Sequence, residues 1–278
     1  MDAATGHVRA LARRVTDAAL GLGPLRAALL AGSGARGDCD GYSDVDLLLY
    51  VDELPPEGRL EALRGAVGGA EPIPFAPQAM QFLVGGVPVQ ASYSTVAQID
   101  EKLDAALVRL EHVRSPGQKM LAGLLEGLPL HGEDVLERWR ARVADYPEEL
   151  RRAMVEQHWS FFPLWYYAEQ MQGRDAELWR MDMLVDGVFN VLGVLAGVNR
   201  VYYARFELKR LRAFAEKLQL APSGLAERLE ALFRLAPVEA ADALGRLVDE
   251  TREIALDALP GLELRLRFPP GTRQQPWG

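Results

Sequence analysis

The chain predicts an α+β fold, a small mixed α/β domain followed by an all-α helical bundle, and three observations carry that expectation. Helix and strand signals alternate through residues 1–105. From 106 to 268 strand signals nearly vanish, and helical periodicity alternates with short Gly/Pro breaks. Between them in kind, two apolar runs in the first region, RAALLA (26–31) and DVDLLLYV (44–51), bracket a segment rich in glycine and small residues. Residues 269–278, which open on Pro269-Pro270-Gly271, are expected to be an irregular tail.

In chain order, the periodicity predicts an amphipathic helix around 8–20, strands at 26–31 and 44–51, and a short helix near 58–68. AMQFLV (79–84) and VPVQASY (87–93) read as a hairpin turning at Gly85-Gly86. Residues 96–113 look helical, Ser115-Pro116-Gly117 interrupts, and 118–126 resumes the helix. Leu128-Pro129-Leu130-His131-Gly132 reads as another break before a helix at 133–143. Pro147 sits at a plausible first helical position, and the remainder to about 259 reads as the bundle.

The chemistry concentrates at Gly32-Ser33 and Asp44-Val45-Asp46. Alternate strand residues share a face, so Asp44 and Asp46 fall one pleat apart on the same side. Two carboxylates about 4 Å apart repel by about 4 kcal/mol at an effective dielectric near 20, unless a cation sits between them. Mg²⁺ takes oxygen ligands and is shared between one or two carboxylates and substrate phosphates. Ahead of the strand, the backbone N–H groups of 32–43 and the Ser33 hydroxyl suit close approach to a phosphate. Phosphate cradle and metal pair together point to a nucleoside triphosphate. An Asp-rich turn before an ordinary strand is the bland alternative. Gly32-x-Gly34-x-x-Gly37 formally matches a dinucleotide fingerprint, but the run Asp38-Cys39-Asp40-Gly41-Tyr42-Ser43-Asp44 breaks the helix that motif needs.

Gly32-Ser33-x-Ala35-Arg36-Gly37 with Ser43-Asp44-x-Asp46-Leu47 resembles the signature of the DNA polymerase beta-type nucleotidyltransferase superfamily, and most of all its bacterial aminoglycoside/antibiotic nucleotidyltransferases and their uncharacterised relatives. The resemblance implies that Gly32 and Ser33 contact the triphosphate and that Asp44 and Asp46 hold Mg²⁺. It also implies a third carboxylate on a neighbouring strand, where this chain has Gln90. Glutamine neither accepts a proton readily nor ligates Mg²⁺ well. Asp100, Glu101, Glu71 or a substrate group are the open substitutes. Asn199-Arg200-Val201-Tyr202 followed by Lys209 is similar to a pattern in relatives of that family, where a lysine reaches the triphosphate. Arg36 and Lys209 are thus expected at the phosphates, against a plain solvated helix face for Lys209.

The expected activity is Mg²⁺-dependent transfer of a nucleoside monophosphate, most simply AMP from ATP, to a hydroxyl of a small molecule, an antibiotic among the options. The alternative is a nucleotide-binding regulatory or sensor protein whose Gln90 has cost it turnover. A net charge of −8 argues against a long polyanion, so no nucleic-acid partner is expected. Export signals and apolar runs of membrane-spanning length are not expected either, and the lone Cys39 fits a reducing, cytoplasmic setting. Oligomeric state is left open. Of the aromatic run 158–167, most side chains read as core, with Trp165 or Tyr166 as cleft candidates. Asp182 and Asp186 share a helix face, where they recognise an amine or simply mark the solvent side. The four histidines, His7, His112, His131 and His158, show no metal-ligand spacing.

Overall fold

In a computed structural model, residues 3–111, 113–114, 117–171 and 174–265 are described, with the side chains of 206–208 outside that description. The expected tail at 269–278, His112 and the Ser115-Pro116 break lie outside the described residues. The chain is α+β and divides into two units: one of Met1–Arg109 with Met120–Asp145, the other of Leu110–Lys119 with Tyr146–Gly278.

The first unit is built on a six-stranded mixed sheet. Its strands are β1 (Ala27–Ala31), β2 (Val45–Val51), β3 (Ala70–Ala76), β4 (Ala79–Val84), β5 (Val87–Thr95) and β6 (Leu128–His131). They lie in the order β3-β4-β5-β2-β1-β6. Only β2 and β5 pair in parallel; the other neighbours are antiparallel. The β4–β5 hairpin turns at Gly85 and Gly86, both left-handed (φ 59° and 85°), as a type I′ turn requires.

One sheet face carries Ala28, Leu30, Val45, Leu47, Leu49, Phe82, Val89 and Ala91 into a core shared with α1 (Ala3–Leu22) and α3 (Arg59–Ala66). The period-2 alternation then sends Asp46, Leu48 and Tyr50 to the opposite face. There the far end is covered: Trp139 of α6 (Glu133–Ala144) packs edge-on against Tyr50, with ring centroids 4.8 Å apart. Trp139 Nε1 donates to Asp100 Oδ1 of α4 (Val96–Leu107) at 2.8 Å, which holds α6 against α4. Thr95 and Gln98 close a capping box that starts α4 directly from β5.

Two sequence expectations change here. Within the expected break at 128–132, Leu128–His131 form the strand β6, paired to β1. With it, α5 beyond Lys119 (the helix runs Gly117–Glu126) and α6 join the first unit, so the α/β unit extends past residue 105 to Asp145. The second is β3, which the periodicity does not show: Pro72 and Pro74 interrupt it and every residue is exposed. Both strands are sheet edges, where a proline sacrifices no ladder bond and discourages further pairing.

The second unit centres on α8 (Glu177–Val198), which packs with α7 (Glu148–His158) and α11 (Pro237–Ala258). A Cβ at Gly197 would stand 2.8 Å from Met154 Cβ, and one at Gly193 would strike the His158 ring, so glycines let α7 close on α8. A π-turn at Tyr166–Gln170, a 3₁₀ turn at Arg205–Arg210, α9 (Leu211–Ala215), α10 (Leu225–Ala231) and a 3₁₀ turn at Leu232–Arg234 complete it. By length and composition α8 is apolar enough to span a membrane, contrary to the expectation of no such run. Of its apolar window 72% is buried inside the protein, as in a core helix.

Candidate functional site

β1 delivers the chain to Gly32, whose left-handed backbone (φ 65°) turns it at once into α2 (Gly32–Arg36). A Cβ there would lie 2.3 Å from Asp46 Oδ2, so only glycine lets the turn rest against that carboxylate. Two residues on, a Cβ at Gly34 would meet Val8 Cγ1 at 2.8 Å, which seats α2 on α1. The expected glycine-rich loop thus begins as a one-turn helix and becomes loop only after Arg36. Because β1 and β2 run antiparallel, it is not the turn of a βαβ dinucleotide motif.

Arg9 of α1 fixes this turn from outside. Its Nε donates to the Gly34 carbonyl at 2.8 Å and its Nη2 to the Ala35 carbonyl at 2.7 Å. These carbonyls sit at the end of a short helix, where a cation is favoured. Nothing local in the sequence marks Arg9, since its partners lie 25 and 26 residues away.

The return to β2 runs through an Asp40–Ser43 turn. The Tyr42 N–H donates to Asp40 Oδ1 at 2.9 Å, and the Asp40 N–H donates to Ser43 Oγ at 2.9 Å. Tyr42 at its tip is 97% exposed. Asp44 follows immediately before β2, and Asp46 sits within it; both are half-buried.

The register assembles the rest. Asp46 lies between Ala31 of β1 and Gln90 of β5, and Gln90 lies opposite Gln81 of β4, which faces Ile73 of β3. Paired residues share a sheet face, so Asp44, Asp46, Gln90, Gln81 and Ile73 all project from one side. Gln90 Nε2 donates to Asp44 Oδ2 at 2.9 Å. The neutral amide thus stands beside the acid pair, where the resemblance led to a carboxylate. The acidic substitutes are engaged elsewhere: Asp100 receives Trp139, Arg138 and Arg142, and Glu101 pairs with Arg109. Glu71 is exposed on edge strand β3.

Among the other expected residues, Ser33 is half-buried, and its Oγ accepts a weak bond from the Cys39 thiol at 3.8 Å. Arg36 pairs with Asp38 at 3.3 Å and approaches Glu126 at 4.0 Å. Lys209 is exposed on the 3₁₀ turn of the second unit. The Asn199–Tyr202 turn is structural in its contacts: Asn199 bonds the Leu195 and Leu220 carbonyls and the Leu220 N–H, and Tyr202 packs on Tyr146. Asp186 is bonded by Asn190 and Arg205.

For a metal, the donor set is two carboxylates on one face. Among the described residues, no group of three or more His, Cys, Asp or Glu gathers to hold one. A two-carboxylate site fits Mg²⁺, which keeps waters and completes its octahedron on phosphate oxygens, and does not fit a closed structural centre.

No protein-family profile matches the chain, and no curated protein matches it. Among solved structures it is similar to a nucleotidyltransferase-like protein from Exiguobacterium sibiricum. That similarity stands at 10% identity and a TM-score of 0.44, over 89% of this chain and 77% of that one.

Proposed function

We propose that the protein is a nucleotidyltransferase that moves a nucleoside monophosphate, most simply AMP, from a nucleoside triphosphate to a hydroxyl of a small molecule. One observation carries the reading. Asp44 and Asp46 stand one pleat apart on a sheet face, the first bonded by Gln90 and the second cradled by Gly32. In the reaction an acceptor oxygen bonds to the α-phosphorus as the bond from that phosphorus to the bridging oxygen breaks. Pyrophosphate leaves with the electron pair, and the acceptor's proton passes to solvent or phosphate.

Asp44 and Asp46 would hold Mg²⁺, which supplies charge neutralisation at the α-phosphate and the leaving group. Ser33 and the N–H groups of α2 bind the outer phosphates, and Arg9 keeps that turn in place. Arg36 joins them by exchanging its Asp38 partner for phosphate. Gln90 orients Asp44 by occupying one of its oxygens. The face next to this pair, with Gln81, Gln90 and Ile73, is neutral. It suits an uncharged, hydrogen-bonding part of the acceptor. An acidic chain with net charge −8 favours a small acceptor over nucleic acid.

Pyrophosphate release from ATP, GTP, CTP and UTP with Mg²⁺, over a panel of hydroxylated small molecules, tests the reading. Release abolished by Asp44→Asn supports it; release that survives Asp44→Asn contradicts it. The amide at position 90 favours a second reading, a nucleotide-binding sensor without turnover. In that case wild type binds nucleotide and releases no pyrophosphate, and Gln90→Glu gains release.

A further inference from the structure

We infer that the second unit carries a separate small-molecule site, built for an amphipathic carboxylate. A cavity of about 470 Å³ opens among Val185 and Val188 of α8, Leu211 of α9, Leu229 of α10 and Phe233 of the 3₁₀ turn after it. That volume falls within the range of ligand pockets. Val188 and Leu229 form a buried floor, while Phe233, 41% exposed, stands at the mouth.

Two charged side chains complete the lining, Glu230 and Arg234, and their circumstances differ. Glu230 is taken: Arg212 Nη2 donates to its Oε2 at 2.8 Å. Arg234 is exposed and has no hydrogen-bond or ion-pair partner among the described residues. The lining of an apolar cavity thus includes an arginine with no partner among the described residues. The ligand that complements both is an apolar body ending in a carboxylate, which a guanidinium fork engages through two parallel bonds. A cation meets repulsion from Arg234, and a neutral chain leaves the fork unused. At about 30 Å³ per water-sized group, the cavity admits about 15 non-hydrogen atoms, the size of a medium-chain fatty acid. This site shares no residue with the acid pair of the first unit and does not depend on the nucleotide reading.

The probe is decanoate, titrated calorimetrically into the full chain, with decanol and decylammonium as chains of equal length. Decanoate is expected to bind at least about tenfold more tightly than either comparator. Arg234→Ala, which removes no bond from the fold, is expected to erase that preference, whereas Arg234→Lys keeps part of it. Val185→Trp, at a half-buried wall position, is expected to block decanoate by filling the space. Unchanged melting temperatures certify that the variants are folded. The proposal is overturned if folded wild type does not bind decanoate, if decylammonium binds equally well, or if Arg234→Ala binds decanoate as wild type does.

Discussion

Two polar clusters, one in each unit, differ in how they are held. In the first, Asp44, Asp46 and Gln90 stand half-buried at one end of a sheet face whose other end, around Tyr50, is sealed by Trp139. Asp44 has about four lone-pair sites and gives one to Gln90. In the second, Asn190 and His158 are buried and bonded. Asn190, 1% exposed, accepts from Arg114 and donates to the Ser160 carbonyl and to Asp186. His158, 4% exposed, bonds the Met154 carbonyl through Nδ1 at 3.0 Å. Polar groups bonded inside a core specify its packing, whereas two neighbouring carboxylates repel each other, a cost that a cation would offset.

That contrast is broken first at the acid pair. Asp46→Asn is expected to lower pyrophosphate release about a thousandfold, the effect of about 4 kcal/mol of lost transition-state stabilisation, while thermal unfolding shows the fold intact. A comparable loss of melting temperature would place Asp46 with the structural polar groups instead.

Next in size is the acid sensitivity of His158. Burial chiefly, with Arg114 and Arg205 adding repulsion against its bond to the Met154 carbonyl, lowers its pKa from 6.5 to about 4. Between those values the unfolded chain binds a proton that the folded protein refuses, so stability falls as pH drops. The loss across that window is about 3 kcal/mol. Urea unfolding of wild type and His158→Gln at pH 7 and pH 4.5 isolates it from the carboxylates, since only wild type carries this part of the slope.

Asn190→Ala is expected to destabilise by about 2 kcal/mol, by stranding the Ser160 carbonyl, with no change in nucleotide affinity. The smallest stability effect, about 1 kcal/mol, is expected for Arg9→Ala, because the Gly34 and Ala35 carbonyls it releases are only partly buried. Its signature is weaker nucleotide binding, read by calorimetry, out of proportion to the change in unfolding.

Much of this was legible in the residues themselves. DVDLLLYV announces a strand with acids on one face, and Gly85-Gly86 announces a hairpin, because both signals are local. The resemblance, which implies a third acid on a neighbouring strand, pointed to Gln90, and the register sets it opposite Asp46. The edge strands β3 and β6 were illegible because prolines 72, 74 and 129 speak against strands, and only their edge position removes the penalty. Arg9 left no signal because its role depends on α1 meeting α2 in space. The same holds for Asp100, which reads as a free helical acid and is bound to Trp139. The boundary beyond residue 105 was hidden for a similar reason: nothing in 128–131 tells that it returns to pair with β1.

Calorimetric titration of ATP with and without Mg²⁺, into wild type and the Asp44→Asn/Asp46→Asn double variant, tests the central claim most directly. The account predicts binding that requires Mg²⁺ in wild type and is lost in a double variant that still melts cooperatively. Equal binding by both proteins, or no nucleotide binding by wild type, would contradict it.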